Sequence, residues 1–415
     1  MLCYMTTLVL FVAAIYVLVS LLKGAVNLAN LRHAQAGGIP EEFRGLVDEE
    51  KFAKAQAYLE AQTYFGLAQR LLGTIASVAF LLLGGFGWVD RLALGFQQGP
   101  VVTALLYFLF LALLDQIIDL PFSWYHTFVI EEKFGFNRSS VKTFLGDMLK
   151  GWGLGLVLGG LLGAALVWFF LHGGQYAWLW AWGFFTLFQI TLMFLAPVVL
   201  MPLFNKFDPL PEGELRTAIE KFAGSVNFQL QGIFTMDGSK RSSKANAFFT
   251  GFGKFRRIVL FDTLVKQHTV PELVAVLAHE VGHFKRKHIL KQIALSLVSS
   301  FVLFWFFSVL LSSDTLAMDF GFALPSVQAA ITMAFWFYSP FSFLTGLLSS
   351  GLSRKFEFEA DAYARETTKD APSLAAALKR LSVESLSNLN PHPWKVMLDY
   401  SHPPVIQRIR ALLAP

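Results

Sequence analysis

Residues His279 to Lys291 read His-Glu-Val-Gly-His-Phe-Lys-Arg-Lys-His-Ile-Leu-Lys, and the first five match H-E-x-x-H. On a helix, positions i and i+4 share a face. His279 and His283 therefore aim two imidazoles at one point and can hold a single ion. Glu280 lies one step round the helix, within reach of a water on that ion without ligating it. Two nitrogen ligands beside a carboxylate base is the arrangement of a zinc peptidase. Two histidines four apart are also an ordinary helix surface, so the rest of the chain has to decide.

The element carrying them is well specified. Thr269-Val270-Pro271-Glu272 offers a capping-box start with proline in the first turn. Leu273, Val274, Val276, Leu277 and Ala278 follow, so a buried helix over Thr269–His283 is expected.

The 415 residues are 55% hydrophobic and only 15% charged, whereas soluble domains carry about a quarter charged residues. Mean hydropathy is positive, and there are 43 Phe and 10 Trp. Seven stretches are long and apolar enough to span a bilayer, at 3–22, 68–89, 101–120, 152–172, 176–200, 289–312 and 326–350. The first has no basic residue before it and reads as a retained span rather than a cleaved signal. The single cysteine, Cys3, is part of that run, and excludes an intrachain disulfide and a cysteine-based zinc site. The net charge of +5 is small for this length, and no nucleic-acid partner is expected.

Lys and Arg alternate across these spans. The links between spans 4 and 5 and between spans 6 and 7 have none, residues 201–288 have thirteen, and the tail after span 7 has nine. The positive-inside rule then puts the N-terminus outside and the C-terminus in the cytoplasm. The division expected is 1–200 for spans 1–5, 201–288 for a cytoplasmic segment, 289–350 for spans 6 and 7, and 351–415 for a cytoplasmic tail. The 201–288 segment reads as a helix near 212–224, then strands at Gly232–Met236 and Arg257–Phe261 flanking 246–253. The tail reads as helical with a break at Asn390-Pro391-His392-Pro393. The fold class is an all-α polytopic membrane protein with a small cytoplasmic α/β portion.

A catalytic zinc ion needs a third protein ligand and one open position. Glu357 and Asp361 are i and i+4 on a tail helix. Glu357 would bind the metal, and Asp361 would accept a hydrogen bond from a ligand histidine and fix its tautomer. Glu359 points elsewhere. The competing reading is a solvated acidic face paired with Arg354, Lys355 and Arg365. Asp115, Gln116 and Asp119 in span 3 and Gln189 in span 5 are costly in lipid and should face a wet interior or one another.

His279–His283, Glu357-x-x-x-Asp361 and Tyr400-Ser401-His402-Pro403-Pro404 with Arg408 together resemble the integral-membrane zinc proteases of the CAAX prenyl protease 1 family. Asn246-Ala247-Phe248-Phe249 with Arg257–Leu264 resembles that family's substrate-strand region, and Thr127–Asn137 resembles its loop after span 3. The resemblance implies seven helices around a water-filled intramembrane chamber, and one Zn2+ held by His279, His283 and Glu357 with Glu280 as base. It implies His402 and Arg408 as oxyanion donors, and a peptide substrate, prenylated or otherwise membrane-bound, whose backbone is held by Asn246 and Ala247 beside a strand edge. His288 falls where the family often has a further histidine, and is equally a helix-end residue. The compact chain points to a bacterial inner membrane; in a eukaryote the endoplasmic reticulum would be its place. Two other readings are a heat-shock-type quality-control protease and a transporter or scaffold with non-catalytic zinc.

Overall fold

The computed structural model describes residues 7–250, 257–311 and 314–414. Cys3, the start of the first apolar run and Gly251-Phe252-Gly253 lie outside them. Among the described residues seven helices are long and apolar enough to cross a membrane. They are span 1 (Thr7–Ala36), span 2 (Glu49–Leu82), span 3 (Pro100–Phe134), span 4 (Val141–His172), span 5 (Gly174–Leu203), span 6 (His288–Leu310) and span 7 (Val327–Thr368). Leu83, Ile117, Val157 and Leu348 are among many large apolar side chains left exposed along them, as befits helices solvated by lipid.

Five helices, spans 1, 2, 3, 4 and 7, run well past the stretches that hydropathy marks, and three of them change the reading. Span 2 starts at Glu49 rather than near 68, because Asp48 caps it by accepting from Lys51 N at 2.7 Å. Its first turns are too polar to register as a span. Span 3 continues past 120 through a π-helical turn, His126–Glu131, and a last α turn to Phe134. Residues Thr127–Phe134, expected in a loop, are therefore helix, and Gly135, at φ +84°, ends it. Span 7 does not stop near 350. It runs unbroken for 42 residues, capped by Ser326 and ended by left-handed Lys369, so at 1.5 Å per residue it is about 63 Å long. That is about twice the hydrocarbon thickness of a bilayer.

Two cores sit at opposite ends. The first joins Val9, Leu81, Tyr107, Val167, Phe307 and Met333 from six of the spans. Within it the Tyr107 hydroxyl and Thr332 Oγ1 are 2.9 Å apart, and Gln328 donates to buried Asp90 at 2.9 Å. The short helix Gly85–Leu94 packs here, and Gly87 meets the link between spans 6 and 7. A Cβ on Gly87 would fall 1.7 Å from the carbonyl oxygen of Gly321.

The second core lies around a four-stranded sheet of order β1-β2-β4-β3, where β1 is Phe207–Pro209, β2 Gly232–Met236, β3 Ala247–Thr250 and β4 Arg257–Phe261. The two predicted strands are β2 and β4, which run parallel; β1 and β3 pair antiparallel on either side. Ile219 of the helix Glu214–Ser225 packs with Ile233 and Leu260 of the sheet, Leu277 of the helix Val270–Lys285, and Leu374 and Leu412 of the tail. The tail forms helices Ala371–Glu384, Pro393–Asp399 and Val405–Leu413, with the break at 390–393.

Gly87→Ala should destabilise the protein by about 1–3 kcal/mol through overpacking, read as a lower thermal midpoint in detergent. Gly146→Ala, in a helix where an added Cβ meets nothing, should be neutral or stabilising by about 0.5–1 kcal/mol.

Candidate active site

The helix Val270–Lys285 begins at the expected capping box, with the Glu272 carboxylate accepting from Thr269 N at 2.9 Å. It buries His279 and leaves His283 half-buried. Against it lies the far end of span 7. The contact closes at Gly282, where an added Cβ would be 3.0 Å from both Cα and the carbonyl oxygen of Ala360. A side chain there would hold the two backbones apart. With glycine they come close enough for Glu357 and Asp361, on either side of Ala360, to reach the histidines.

Three donor atoms converge. His279 Nε2 and His283 Nε2 are 3.1 Å apart, and Glu357 Oε2 and Oε1 lie 3.4 and 3.3 Å from them. These three residues can together hold one metal ion. Asp361 Oδ1 is 2.8 Å from His279 Nδ1, so in the neutral ring that nitrogen carries the proton and Nε2 is the one left to ligate. Burial pushes the His279 imidazole down, but the hydrogen-bonded Asp361 and Glu357 carboxylates outweigh it and hold the pKa at about 9.

Arg408 is buried behind this group. Its Nε and Nη2 grip the two Asp361 oxygens at 2.8 and 2.7 Å, a bidentate pair. Nη1 lies 3.1 Å from Glu357 Oε2. Burial disfavours the guanidinium charge, yet Asp361 and Glu357 raise its pKa. The expectation of Arg408 as an oxyanion donor meets a fork already committed to these carboxylates. His402 is on the open side. Its ring is largely exposed, Nε2 is 3.3 Å from Glu357 Oε1, and Nδ1 is 2.9 Å from Ser401 Oγ. Glu280 is half-buried, and among the described residues no hydrogen bond or ion pair ties up its carboxylate.

Ala247 opens β3, an outer strand of the sheet, opposite Leu260. Asn246, just before it, is exposed; its carbonyl accepts from Phe261 N at 3.0 Å and its side-chain oxygen from Ala247 N at 2.9 Å. Phe249 of β3 packs on Phe284, next to His283, with ring centroids 6.0 Å apart. Of the polar span residues, Gln116 accepts from Trp152 at 3.0 Å, Asp119 from Gln69 at 3.2 Å, and Gln189 donates to Ser296 at 3.2 Å. Asp115 is exposed.

Three residues exceed what sequence reasoning assigned them. Arg354 does not pair with the acidic face: its Nη1 donates to the carbonyls of Val396 and Tyr400 at 3.0 and 2.7 Å, fixing the loop that presents His402. His288 is no exposed helix end. It is 1% exposed, 3.0 Å from His283 through facing Nδ1 atoms and 3.0 Å from Glu359. Glu359 does point away from Glu357, and the direction leads to His288. No spacing rule signals these contacts, because each crosses between separate helices.

The donor set fits zinc: two imidazole nitrogens and one carboxylate oxygen. Glu357 Oε2 is buried and, though Arg408 Nη1 is 3.1 Å away, has no aligned hydrogen-bond donor, which leaves it room to ligate. Replacing Arg408 by alanine would leave Asp361 buried without its cation and should cost about 3–5 kcal/mol, measured as a fall in thermal stability in detergent.

Comparison with known proteins agrees over the whole chain. Residues 28–206 match the family described as CAAX prenyl protease N-terminal, five membrane helices, and residues 209–415 match peptidase family M48. A CAAX prenyl protease 1 homolog of Arabidopsis thaliana is 35% identical over 99% of this chain and 97% of its own. CAAX prenyl protease 1 of Saccharomyces cerevisiae is 35% identical over 90% and 88%. The crystal structure of S. mikatae Ste24p superposes with a TM-score of 0.93 at 30% identity, covering 98% of this chain and 99% of that one. The chain thus belongs to the CAAX prenyl protease 1 family, integral-membrane metalloproteases of peptidase family M48.

Proposed function

We propose that the protein is a zinc endopeptidase that cleaves near the C-terminus of prenylated or other membrane-associated peptides, with His279, His283 and Glu357 as the three ligands. The observation that carries the reading is the convergence of those three donor groups, whose ligand atoms all lie within 4.8 Å of one another. A zinc ion there supplies Lewis acidity, which acidifies water and polarises a peptide carbonyl. Glu280, untied by any other partner, takes the proton from the attacking water and returns it to the departing amine. His402, on the open side, donates to the oxygen of the attacked carbonyl as charge builds on it. Arg408 and Asp361 act behind the ligands: Asp361 holds the His279 tautomer, and Arg408 keeps both carboxylates ionised and in place. The substrate main chain lies along the outer edge of β3, beside Asn246 and Ala247.

The alternation of basic residues supports an outside N-terminus and a catalytic end in the cytoplasm. A heat-shock-type protease and a non-catalytic zinc protein are not favoured, given relatives that align over nine-tenths or more of the chain.

Glu280→Gln should keep zinc and slow cleavage of a farnesylated peptide by about 10²- to 10⁴-fold. Wild-type rates in that variant would remove Glu280 from proton transfer. The same peptide without its prenyl group, cleaved by wild type, tests the substrate class, and equal efficiency would discard prenyl recognition. Zinc affinity should also depend on pH. His279 must release its extra proton to ligate, and that proton is held up to a pKa of about 9. Affinity should therefore rise about tenfold per unit from pH 6 towards 9 and then level off; a flat profile in chelator competition would contradict the protonated resting state.

A further inference from the structure

His279 has an anionic partner on its far nitrogen, and His283 has none in direct contact. Its Nδ1 instead faces Nδ1 of His288 at 3.0 Å, with the rings at 75° and centroids 5.1 Å apart. His288 Nε2 in turn lies 3.0 Å from Glu359 Oε2. We infer that His288 and Glu359 form a relay that fixes the tautomer and orientation of His283, so that each histidine donor is backed by its own carboxylate. This rests on the zinc reading above and adds two positioning residues to it.

With His279 and His283 both ligating through Nε2, one proton arrangement satisfies the contacts that remain. If His283 Nε2 presents a lone pair to the ion, its proton is on Nδ1 and must be donated to His288 Nδ1. His288 then has its single proton on Nε2 and donates it to Glu359. Reversing the first bond would leave the proton on His283 Nε2 and remove the lone pair a metal needs. The three residues come from different elements, and the fold goes to some trouble to join them. Lys287, at φ +58°, turns the chain between the helix Val270–Lys285 and span 6. That left-handed turn, strained for a non-glycine residue, places His288, the first residue of span 6, against His283. On span 7, Phe356 and Glu359 are i and i+3. Phe356 stacks flat on the His288 ring, 4.1 Å between centroids and 7° between planes, while Glu359 takes its proton. His288 has no rotational freedom left, since it is 1% exposed and held at both nitrogens and on one face. Glu359 is partly exposed, with Lys291 Nζ at 4.0 Å and Lys355 Nζ at 3.8 Å, and keeps its charge in that setting.

The test uses the purified full-length protein in detergent and measures zinc dissociation constants by competition with a fluorescent chelator. His288→Phe keeps a flat ring against Phe356 but accepts and donates nothing. It should weaken zinc binding by about 10- to 100-fold. Glu359→Ala should weaken it less, and the double variant should bind no more weakly than His288→Phe alone, because Glu359 acts only through His288. An unchanged affinity in His288→Phe, or single effects that multiply in the double variant, would overturn the relay. Should His288→Phe fail to fold, Glu359→Ala decides against Lys355→Ala: a loss specific to Glu359 supports the relay, and equal affinities refute it. The zinc reading fails separately, if wild type binds no zinc or His283→Ala binds it undiminished.

Discussion

The close approach of Gly282 to Ala360 is the constraint on which the site depends. Two helices normally pack with their axes about 8–10 Å apart, and carboxylates on one reach imidazoles on the other only when the contact is at the short end of that range. Gly282 lies in the turn between His279 and His283, and Ala360 lies between Glu357 and Asp361. Two small residues, one in each helix, are thus surrounded by the residues of largest chemical consequence. Their contact sets the distances of both proposed ligand pairs at once.

That approach brings four ionisable groups into a space nearly closed to water. Buried charges are destabilising unless paired and hydrogen-bonded. Here each is answered by a specific partner: Asp361 by both arms of Arg408 and by His279, Glu357 by Arg408 and the two histidines. The set is not fully balanced, since Glu357 Oε2 receives no aligned hydrogen bond. That oxygen belongs to the same three-donor group proposed to hold the metal. Arg408 supports the carboxylates from behind and His402 stays free on the side from which a substrate would arrive, so the two residues divide roles that the sequence motif presents together.

The spans contribute rigidity as well as anchorage. Glu357, Glu359 and Asp361 ride on the same unbroken helix that crosses the membrane as span 7, and His288 is the first residue of span 6. No flexible linker separates the bilayer from the site. The tail closes the arrangement through Arg354, whose guanidinium ties the carbonyls of Val396 and Tyr400 to span 7 just ahead of His402. β3, an outer strand of the sheet, is joined to the helix Val270–Lys285 through Phe249 and Phe284.

Local information determined a good deal. The H-E-x-x-H pair, the capping box at Thr269, strands β2 and β4 and the number of spans all follow from periodicities and short spacings, because helical and strand geometry make near neighbours in sequence near neighbours in space. Hydropathy located the apolar middle of each span but not its ends: the polar turns from Glu49 and the run from Gly351 to Thr368 are helix by capping and packing, to which an apolar window is blind. The need for a third ligand and the i,i+4 acidic pair point to Glu357 beside His279, and family resemblance strengthens that pairing, but with 77 positions of chain between them no local rule gives their distance. Tertiary structure alone decided that Arg408 grips Asp361, that Arg354 holds the His402 loop, and that His288 joins His283 to Glu359. Each is a contact between helices whose relative placement depends on packing at glycine, alanine and a left-handed lysine, and no rule of spacing along one chain encodes the distance between two others.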